Sequence, residues 1–328
     1  MVVIEDDRCP ASDKGCIQMS IFGKPEVTVL KETSDSSIYL SQLLELKKDI
    51  NPETELAQKI DKEIAITKAG ISGENAILFE LKNSGMDLVV LQDIYIETED
   101  GRGAQIDFVV VTPYVRVFIE CKNLFGDIEI NSKGDFIRTF SYGGRKIREG
   151  IYSPITQNER HLSIFKDILL TEKNMIGRAS INLYFNEFNQ SIVVLANQKT
   201  VVNDRYAPKE IRQKVIRCDQ LVATLKNMKS SERDNKKGMI KSGERMLARN
   251  IDSRKEYIKK LQEMKEQVKA LDKMPCTPNA SERLSEQPLL CPRCGKELVL
   301  RTAKQGAYAG KQFYGCSGFP KCRYMKNL

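Results

Sequence analysis

The 328-residue chain reads as an α/β protein with a small cysteine-rich module at its C-terminal end. Three observations lead there. A helix-like segment, Glu74–Asn83, precedes a series of strands, and a second helix-like segment and a continuous apolar run follow them. Gln105–Lys122, QIDFVVVTPYVRVFIECK, reads as a β-hairpin: β-branched and aromatic residues fill Ile106–Val111 and Val115–Ile119, with Thr112-Pro113-Tyr114 between them. Residues 289–328 hold two cysteine pairs in a stretch too short to fold on apolar burial alone.

Residues 1–37 have weak periodicity, and Cys9 and Cys16 read there as ordinary free thiols. Residues 38–68 carry apolar residues at helical spacing and are interrupted at Asn51-Pro52, which predicts a helical hairpin. Gly70-Ile71-Ser72-Gly73-Glu74 is expected to open a new helix, with Ser72 as its cap and Glu74 in its first turn. Gly85 ends that helix, and Asp87–Glu97 alternates as a strand. After the hairpin, Asp127–Ile130 and Phe136–Phe140 read as short strands, with a glycine turn at 142–145. Pro154 starts a helix over Ile155–Leu170. Ser191–Ala196 is a buried strand, Lys214–Cys218 a short strand, and Asp219–Lys226 a helix capped by Asp219. Residues 230–273 predict one long amphipathic helix, able to pack on the main domain or to mediate a homodimer. Met274–Pro288 reads as a linker.

Composition bounds the chemistry. The chain is 41% hydrophobic and 29% charged, as expected of a globular protein with a core. No apolar run approaches the roughly 20 residues needed to cross a bilayer, so no membrane partner is expected. The acidic start MVVIEDDRCP is unlike a signal peptide, which predicts a cytoplasmic protein whose nine cysteines ligate metal or stay free. The net charge is +8, and residues 289–328 set eight Lys/Arg against the single acid Glu297. A basic module on a near-neutral body predicts a polyanionic partner. The single histidine, His161, excludes chemistry that needs two, and reads as structural.

The hairpin carries an unusual charge group. With Pro113-Tyr114 as a two-residue loop, counting outward sets Asp107 opposite Glu120, where Cβ atoms lie about 4.5–5.5 Å apart. Lys122 shares a strand face with Glu120. A divalent cation between the acids would relieve their repulsion. Asp107, Glu120 and the backbone carbonyl of Cys121 could supply hard oxygen ligands, with Lys122 orienting water or neutralising phosphate charge. On spacing alone, a surface ion pair at a strand end remains open.

Gly73-Glu74, Gln105-Ile106-Asp107, Glu120-Cys121-Lys122 with Gly126, and Gln157 together resemble the nuclease-related domain family (NERD) of the PD-(D/E)xK nuclease superfamily, over roughly residues 68–170. The resemblance implies a restriction-endonuclease-like αβββαβ core, a mixed sheet flanked by helices. It implies Asp107 and Glu120 as metal-binding acids, Lys122 as catalytic lysine, Glu74 as an assisting acid and Gln157 as a substrate or site contact. Mg²⁺ or Mn²⁺ is the implied catalytic ion.

In the C-terminal module, Cys291 and Cys294 form one pair and Cys316 and Cys322 another, a spacing that suits a closed tetrahedral zinc site. The segment resembles the C4 zinc finger of bacterial type I topoisomerases through Cys291-Pro292-x-Cys294-Gly295, Phe313-x-Gly315-Cys316-Ser317 and Phe319-Pro320-x-Cys322-Arg323-Tyr324. Members of that family bind DNA, often single-stranded. Tyr308, Phe313, Tyr314, Phe319 and Tyr324 can stack bases or pack around zinc. Arg293, Arg301, Lys304, Lys311, Lys321 and Arg323 can meet phosphates.

The expected organisation is an N-terminal extension (1–67), a NERD domain (68–229), a charged helix (230–273), a linker (274–288) and a zinc ribbon (289–328). The expected function is metal-dependent hydrolysis of DNA, with RNA left open as substrate. The rival expectation is a nucleic-acid-binding or signalling protein that keeps the fold without turnover.

Overall fold

The computed structural model describes residues 25–48, 50–251, 255–273, 290–303 and 312–327. Its contacts divide the chain into two units, one ending at Glu266 and the other beginning at Gln267.

The first unit opens with β1 (Val27–Lys31) and α1 (Asp35–Lys48), then α2 (Glu55–Lys82). The Thr54 hydroxyl caps α2 by accepting the Ala57 N–H at 3.1 Å. α2 runs unbroken through Gly70 and Gly73, which corrects the expectation of a new helix capped by Ser72. Gly73 is there for close approach. A Cβ at that position would lie 2.8 Å from the Asn123 Cβ and 3.0 Å from the Cys121 Sγ. Glu74 is therefore mid-helix and gains nothing from a helix N-terminus.

β2 (Leu88–Glu97), β3 (Gly103–Val111) and β4 (Arg116–Lys122) form an antiparallel meander. β5 (Asp127–Ile130), β6 (Phe136–Tyr142) and β7 (Arg145–Ile151) build a second sheet. α3 (Pro154–Thr171), capped by Ser153, and α4 (Met175–Phe188) lead into β8 (Asn189–Leu195). Then come β9 (Val202–Asn203), α5 (Lys209–Lys214), β10 (Val215–Arg217) and α6 (Leu221–Asn227). Asp219 does not cap α6. It sits in a one-turn 3₁₀ segment, Cys218–Gln220, and Gln220 occupies the cap position.

The main sheet is mixed, in the order β1-β2-β3-β4-β8-β10, with β1, β8 and β10 parallel to their neighbours. β8 is buried almost throughout, which accounts for its unbroken apolar run. The second sheet has the order β7-β6-β5-β9. α2 covers one face of the main sheet through Ile77, Leu78 and Leu81, packed on Leu88, Phe108, Val117 and Ile119. α3 and a later helix, α7 (Lys236–Leu247), cover the other face through Phe165, Met239 and Met246, packed on Val89, Leu91, Val109 and Phe118.

The single helix expected over 230–273 is two: α7 and α8 (Lys255–Lys273). The Asn250 side chain accepts the Tyr95 N–H, and the Ile251 N–H donates to the Tyr95 carbonyl, both at 2.9 Å. These bonds tie the chain to β2 and interrupt the helix. Gly243 of α7 sits directly on Val89 and Leu30. Tyr257 of α8 stacks on Tyr39 of α1 at 4.5 Å. Leu261 of α8 is buried, whereas Ile258 is half exposed. No described helix is long and apolar enough to cross a membrane.

In the second unit, β11 (Leu298–Thr302), β12 (Gln312–Cys316) and β13 (Met325–Asn327) form an antiparallel sheet. Its small core is Cys291, Leu298 and Cys316, joined by Tyr314, Cys322 and Tyr324. The linker expected at 274–288 and the thiols Cys9 and Cys16 lie outside the described residues.

Candidate functional site

The site lies where the β2–β3–β4 meander loses its regularity. Gln92 pairs with Phe108 and Ile94 with Ile106, which sets Asp93 beside Asp107. Asp93 has φ of 57°, rare for a residue with a side chain. Leu91, Ile94, Ile106 and Val109 all join one core cluster, so the two-residue alternation slips at these aspartates. Two side chains are thereby released from simple sheet packing.

The β3–β4 register is the expected one. Val111 pairs with Arg116 and Phe108 with Ile119, and the Thr112 N–H bonds the Val115 carbonyl at 2.9 Å. One step further the ladder opens. The Cys121 N–H donates 2.7 Å to Asp107 Oδ2. The Lys122 carbonyl accepts from Ala196 at the β8 edge, so the N–H and C=O of Cys121 face the opposite edge, toward Asp107. The Cys121 thiol packs against α2 at Gly73, as its place on the strand predicts.

Glu120 is 2% exposed. Its Oε1 accepts from Lys122 Nζ at 2.5 Å, and its Oε2 has no hydrogen-bond partner. Lys122 Nζ also donates to Gln157 Oε1 at 3.1 Å, so the α3 glutamine joins this group. Asn158 fixes the helix there. It is buried and donates to the Phe118 and Ile192 carbonyls at 3.0 and 2.9 Å. His161, one turn on, places Nδ1 3.7 Å from Glu120 Oε2. Glu74 reaches the region from α2 and accepts from Gln92 Nε2 at 2.8 Å. Gly126 closes the turn after β4 with φ of 88°, where a Cβ would lie 2.5 Å from the Thr139 carbonyl oxygen.

Burial dominates the electrostatics. It pushes the Glu74 carboxyl up to about 7, with Asp107 adding repulsion and Gln92 opposing. Burial raises Asp107 against the pull of the Cys121 N–H and Lys122. Burial, then Asp107, raises Glu120, while Lys122 opposes. His161 is pushed down to about 4 by burial, with Lys122 and Arg160 adding to the effect, so it is neutral at pH 7.

This donor set of buried carboxylates with one unpartnered oxygen suits a hard divalent cation. The acids are not gathered into a closed cluster, however. Among the described residues, the one set of three or more metal-type ligands within 4.8 Å of one another is Cys291, Cys294, Cys316 and Cys322. Cys291 and Cys322 sulfurs lie 3.7 Å apart, and those of Cys294 and Cys316 3.4 Å. Tetrahedral zinc with Zn–S of about 2.3 Å sets sulfurs about 3.8 Å apart, so the four thiols fit that ion. The Arg293 and Gly318 N–H groups donate to Cys291 and Cys316 sulfurs at 3.4 and 3.3 Å.

Arg301, Phe313, Phe319, Arg323 and Tyr324 line one cavity of about 430 Å³ in the ribbon. The Arg301 guanidinium lies 5.7 Å over the exposed Phe319 ring. Tyr314 instead packs in the zinc core, and Tyr324 serves both. Lys304, Tyr308 and Lys311 lie outside the described residues, while Arg293 and Lys321 are exposed.

Three residues of the core site escaped sequence reasoning. Gln92 is a lone polar side chain in the strand LVVLQDIYIE, a faint signal. Asp93 carries no local mark of its φ. His161 follows Gln157 by one helical turn, so its place on the site side was readable once Gln157 was placed.

The chain thus joins a buried acid-and-lysine group on a mixed α/β sheet to a separate four-thiol ribbon. Residues 69–196 match the nuclease-related domain family, and residues 289–328 match the topoisomerase DNA-binding C4 zinc finger family. Among curated proteins, DNA topoisomerase 1 of Archaeoglobus fulgidus is 23% identical over 217 residues, covering 65% of this chain and 29% of that protein. DNA topoisomerase 1 of Methanocaldococcus jannaschii is 42% identical over 54 residues, 16% of this chain and 6% of that protein. The chain thus spans less than a third of either relative. No solved structure matches it. Of the two matched families, the C4 zinc finger is described as DNA-binding.

Proposed function

We propose that this protein is a metal-dependent nuclease that hydrolyses DNA phosphodiester bonds on a PD-(D/E)xK core. The observation carrying this reading is the meeting of Asp107, Glu120, Lys122 and Gln157 at one end of the hairpin, with Glu120 Oε2 buried and unpartnered. The order α2, β2, β3, β4, α3, β8 supports the αβββαβ core. Asp107, Glu120 and the Cys121 carbonyl would hold Mg²⁺ or Mn²⁺. When bound, such an ion offsets charge at the scissile phosphate and acidifies the attacking water.

The protein's own groups account for the rest. Lys122, held by Glu120 and Gln157, donates to a phosphate oxygen as negative charge develops there. Glu74, with its carboxyl near neutrality, accepts a proton from water at physiological pH. Gln157 and His161 position Lys122 and Glu120. In the ribbon, Phe313, Phe319 and Tyr324 stack bases, and Arg293, Arg301 and Arg323 meet phosphates. Such tethering raises the effective DNA concentration at the core.

The test is cleavage of plasmid and single-stranded DNA with Mg²⁺ or Mn²⁺, beside Asp107→Ala and Lys122→Ala. Cleavage is expected to fall at least a hundredfold in both variants, and equal residual cleavage would reject the assignment. One observation favours the second reading, DNA binding without turnover. Lys122 already neutralises Glu120 Oε1, so the acids are not gathered for a cation. Lack of cleavage by the wild type, with DNA binding retained, would select it.

A further inference from the structure

At the far end of β4 from Glu120 stands a second charged group with no role in the chemistry above. Arg116 begins the strand, and its guanidinium lies 5.3 Å over the Phe165 ring. It makes no ion pair or side-chain hydrogen bond among the described residues. Burial, then Arg249 and Arg245, pushes its pKa down to about 10. Arg116 is half-buried, and a partly desolvated cation among like charges is costly unless an anion meets it.

A cavity of about 380 Å³ opens at this arginine, between the β3–β4 turn and the start of α7. Arg116, Arg233, Lys241 and Arg245 line it, with Phe188 and with Tyr114, whose ring carries Lys229 Nζ on one face at 4.1 Å. Arg249, nearby, is already bound to Glu172 at 2.5 Å. Arg116, Lys241 and Arg245 have no carboxylate partner among the described residues. Two acids also line the cavity, Glu232 and Asp234. Asp234 accepts the Asn235 N–H at 3.1 Å and stands over Gly238, and neither acid forms an ion pair with Arg116.

We propose that this cavity binds a nucleotide-sized phosphate compound, with Arg116, Lys241 and Arg245 on the phosphate and Tyr114 or Phe188 against the ring. A guanidinium fork suits phosphate oxygens bidentately, and the volume exceeds what a bare oxyanion fills. Glu120 and Lys122 stand four and six residues further along the strand, about 13 and 20 Å at about 3.3 Å per residue. A ligand at Arg116 is thus separate from the scissile phosphate, and the inference stands apart from the nuclease reading.

The experiment titrates inorganic phosphate and AMP into the full-length protein without divalent cations. Melting temperature and calorimetric affinity are measured for wild type, Arg116→Met, Lys241→Ala and Asp107→Ala. Phosphate is expected to raise the wild-type melting temperature, and AMP to bind at least tenfold more tightly than phosphate. Arg116→Met is expected to melt higher than wild type without ligand and to lose the response. Lys241→Ala, which alters only an exposed side chain, is expected to bind about tenfold more weakly, and Asp107→Ala to respond as wild type does. An undiminished response in Arg116→Met or Lys241→Ala, or no wild-type response, overturns the proposal. Loss of the response in Asp107→Ala also overturns it, by moving the ligand to the acids. AMP binding no tighter than phosphate overturns its nucleotide part.

Discussion

His161 Nδ1 faces Glu120 Oε2 at 3.7 Å, and neither atom has a hydrogen-bond partner. The two atoms bring α3 close to the end of β4 at the open side of the buried carboxylate. The single histidine of the chain thus borders the candidate site.

The first prediction concerns acid stability. His161 takes up its proton near pH 4 when folded and near 6.5 when unfolded. The unfolded state binds more protons between those values, so stability falls as pH drops through them. The loss is at most about 3.4 kcal/mol, from a shift of roughly two and a half units at 1.36 kcal/mol each. Urea unfolding of His161→Gln from pH 7 to pH 4 should lack this loss. An unchanged acid limb would mean that the histidine is solvated.

The acids act with the opposite sign. Glu74 is raised from 4.5 to about 7, and Asp107 and Glu120 are raised as well. The folded state then binds more protons than the unfolded state, and for Glu74 this contribution is present below about pH 4.5 and lost as pH rises through about 7. Glu74→Gln should be more stable than wild type at pH 8 and indistinguishable at pH 4. Mn²⁺ at a hundred times its dissociation constant should stabilise the wild type by about 2.7 kcal/mol at pH 8 and far less at pH 5, where the ligands are protonated. Asp107→Ala should show no Mn²⁺ effect in thermal melts.

Two glycines of α2 should respond oppositely. Gly70 has open space where a Cβ would go, so Gly70→Ala should stabilise by about 0.5–1 kcal/mol through helix propensity. Gly73→Ala gains the same propensity but drives a methyl into Asn123 and Cys121, and should lose a net of about 1–2 kcal/mol. Melting temperatures of the two variants decide this, and equal shifts would show that α2 does not rest on β4.

Within the ribbon, exposed and core aromatics should separate. Phe319→Ala should weaken binding of a short single-stranded DNA by about 1–3 kcal/mol, with zinc content unchanged. Tyr314→Ala and Cys291→Ser should lower zinc content, because Tyr314 packs on the thiols and Cys291 is one of them. Fluorescence anisotropy and metal analysis read the two effects independently. Full zinc in Cys291→Ser would refute the four-thiol site.

Much of the core site was legible because its signals are local. The β-branched runs and the Pro113-Tyr114 turn specify the hairpin register from Val111–Arg116 to Phe108–Ile119, and Asp107 follows at the step where the ladder opens and accepts from the Cys121 N–H. The errors also have local causes. Gly70 and Gly73 read as punctuation, yet Gly73 is a contact point inside one long helix. The pattern over 230–273 is helical throughout, and only the bonds from Asn250 and Ile251 to Tyr95 interrupt it. β1 escaped notice because a five-residue strand shows little periodicity, and its pairing with β2 is non-local.

By itself, the sequence determined the α/β class, the hairpin with its two acids and lysine, and the four zinc-spaced cysteines. Each rests on chemistry within a short span: alternation, turn residues and ligand spacing. Tertiary structure alone decided that Glu120 is buried with one oxygen unpartnered, that His161 faces it and Gln157 holds Lys122, and that Arg116 has no carboxylate partner among the described residues. Those outcomes depend on how α2 and α3 pack on the sheet. Packing sets desolvation and distance between residues far apart in sequence, and no local pattern encodes either quantity.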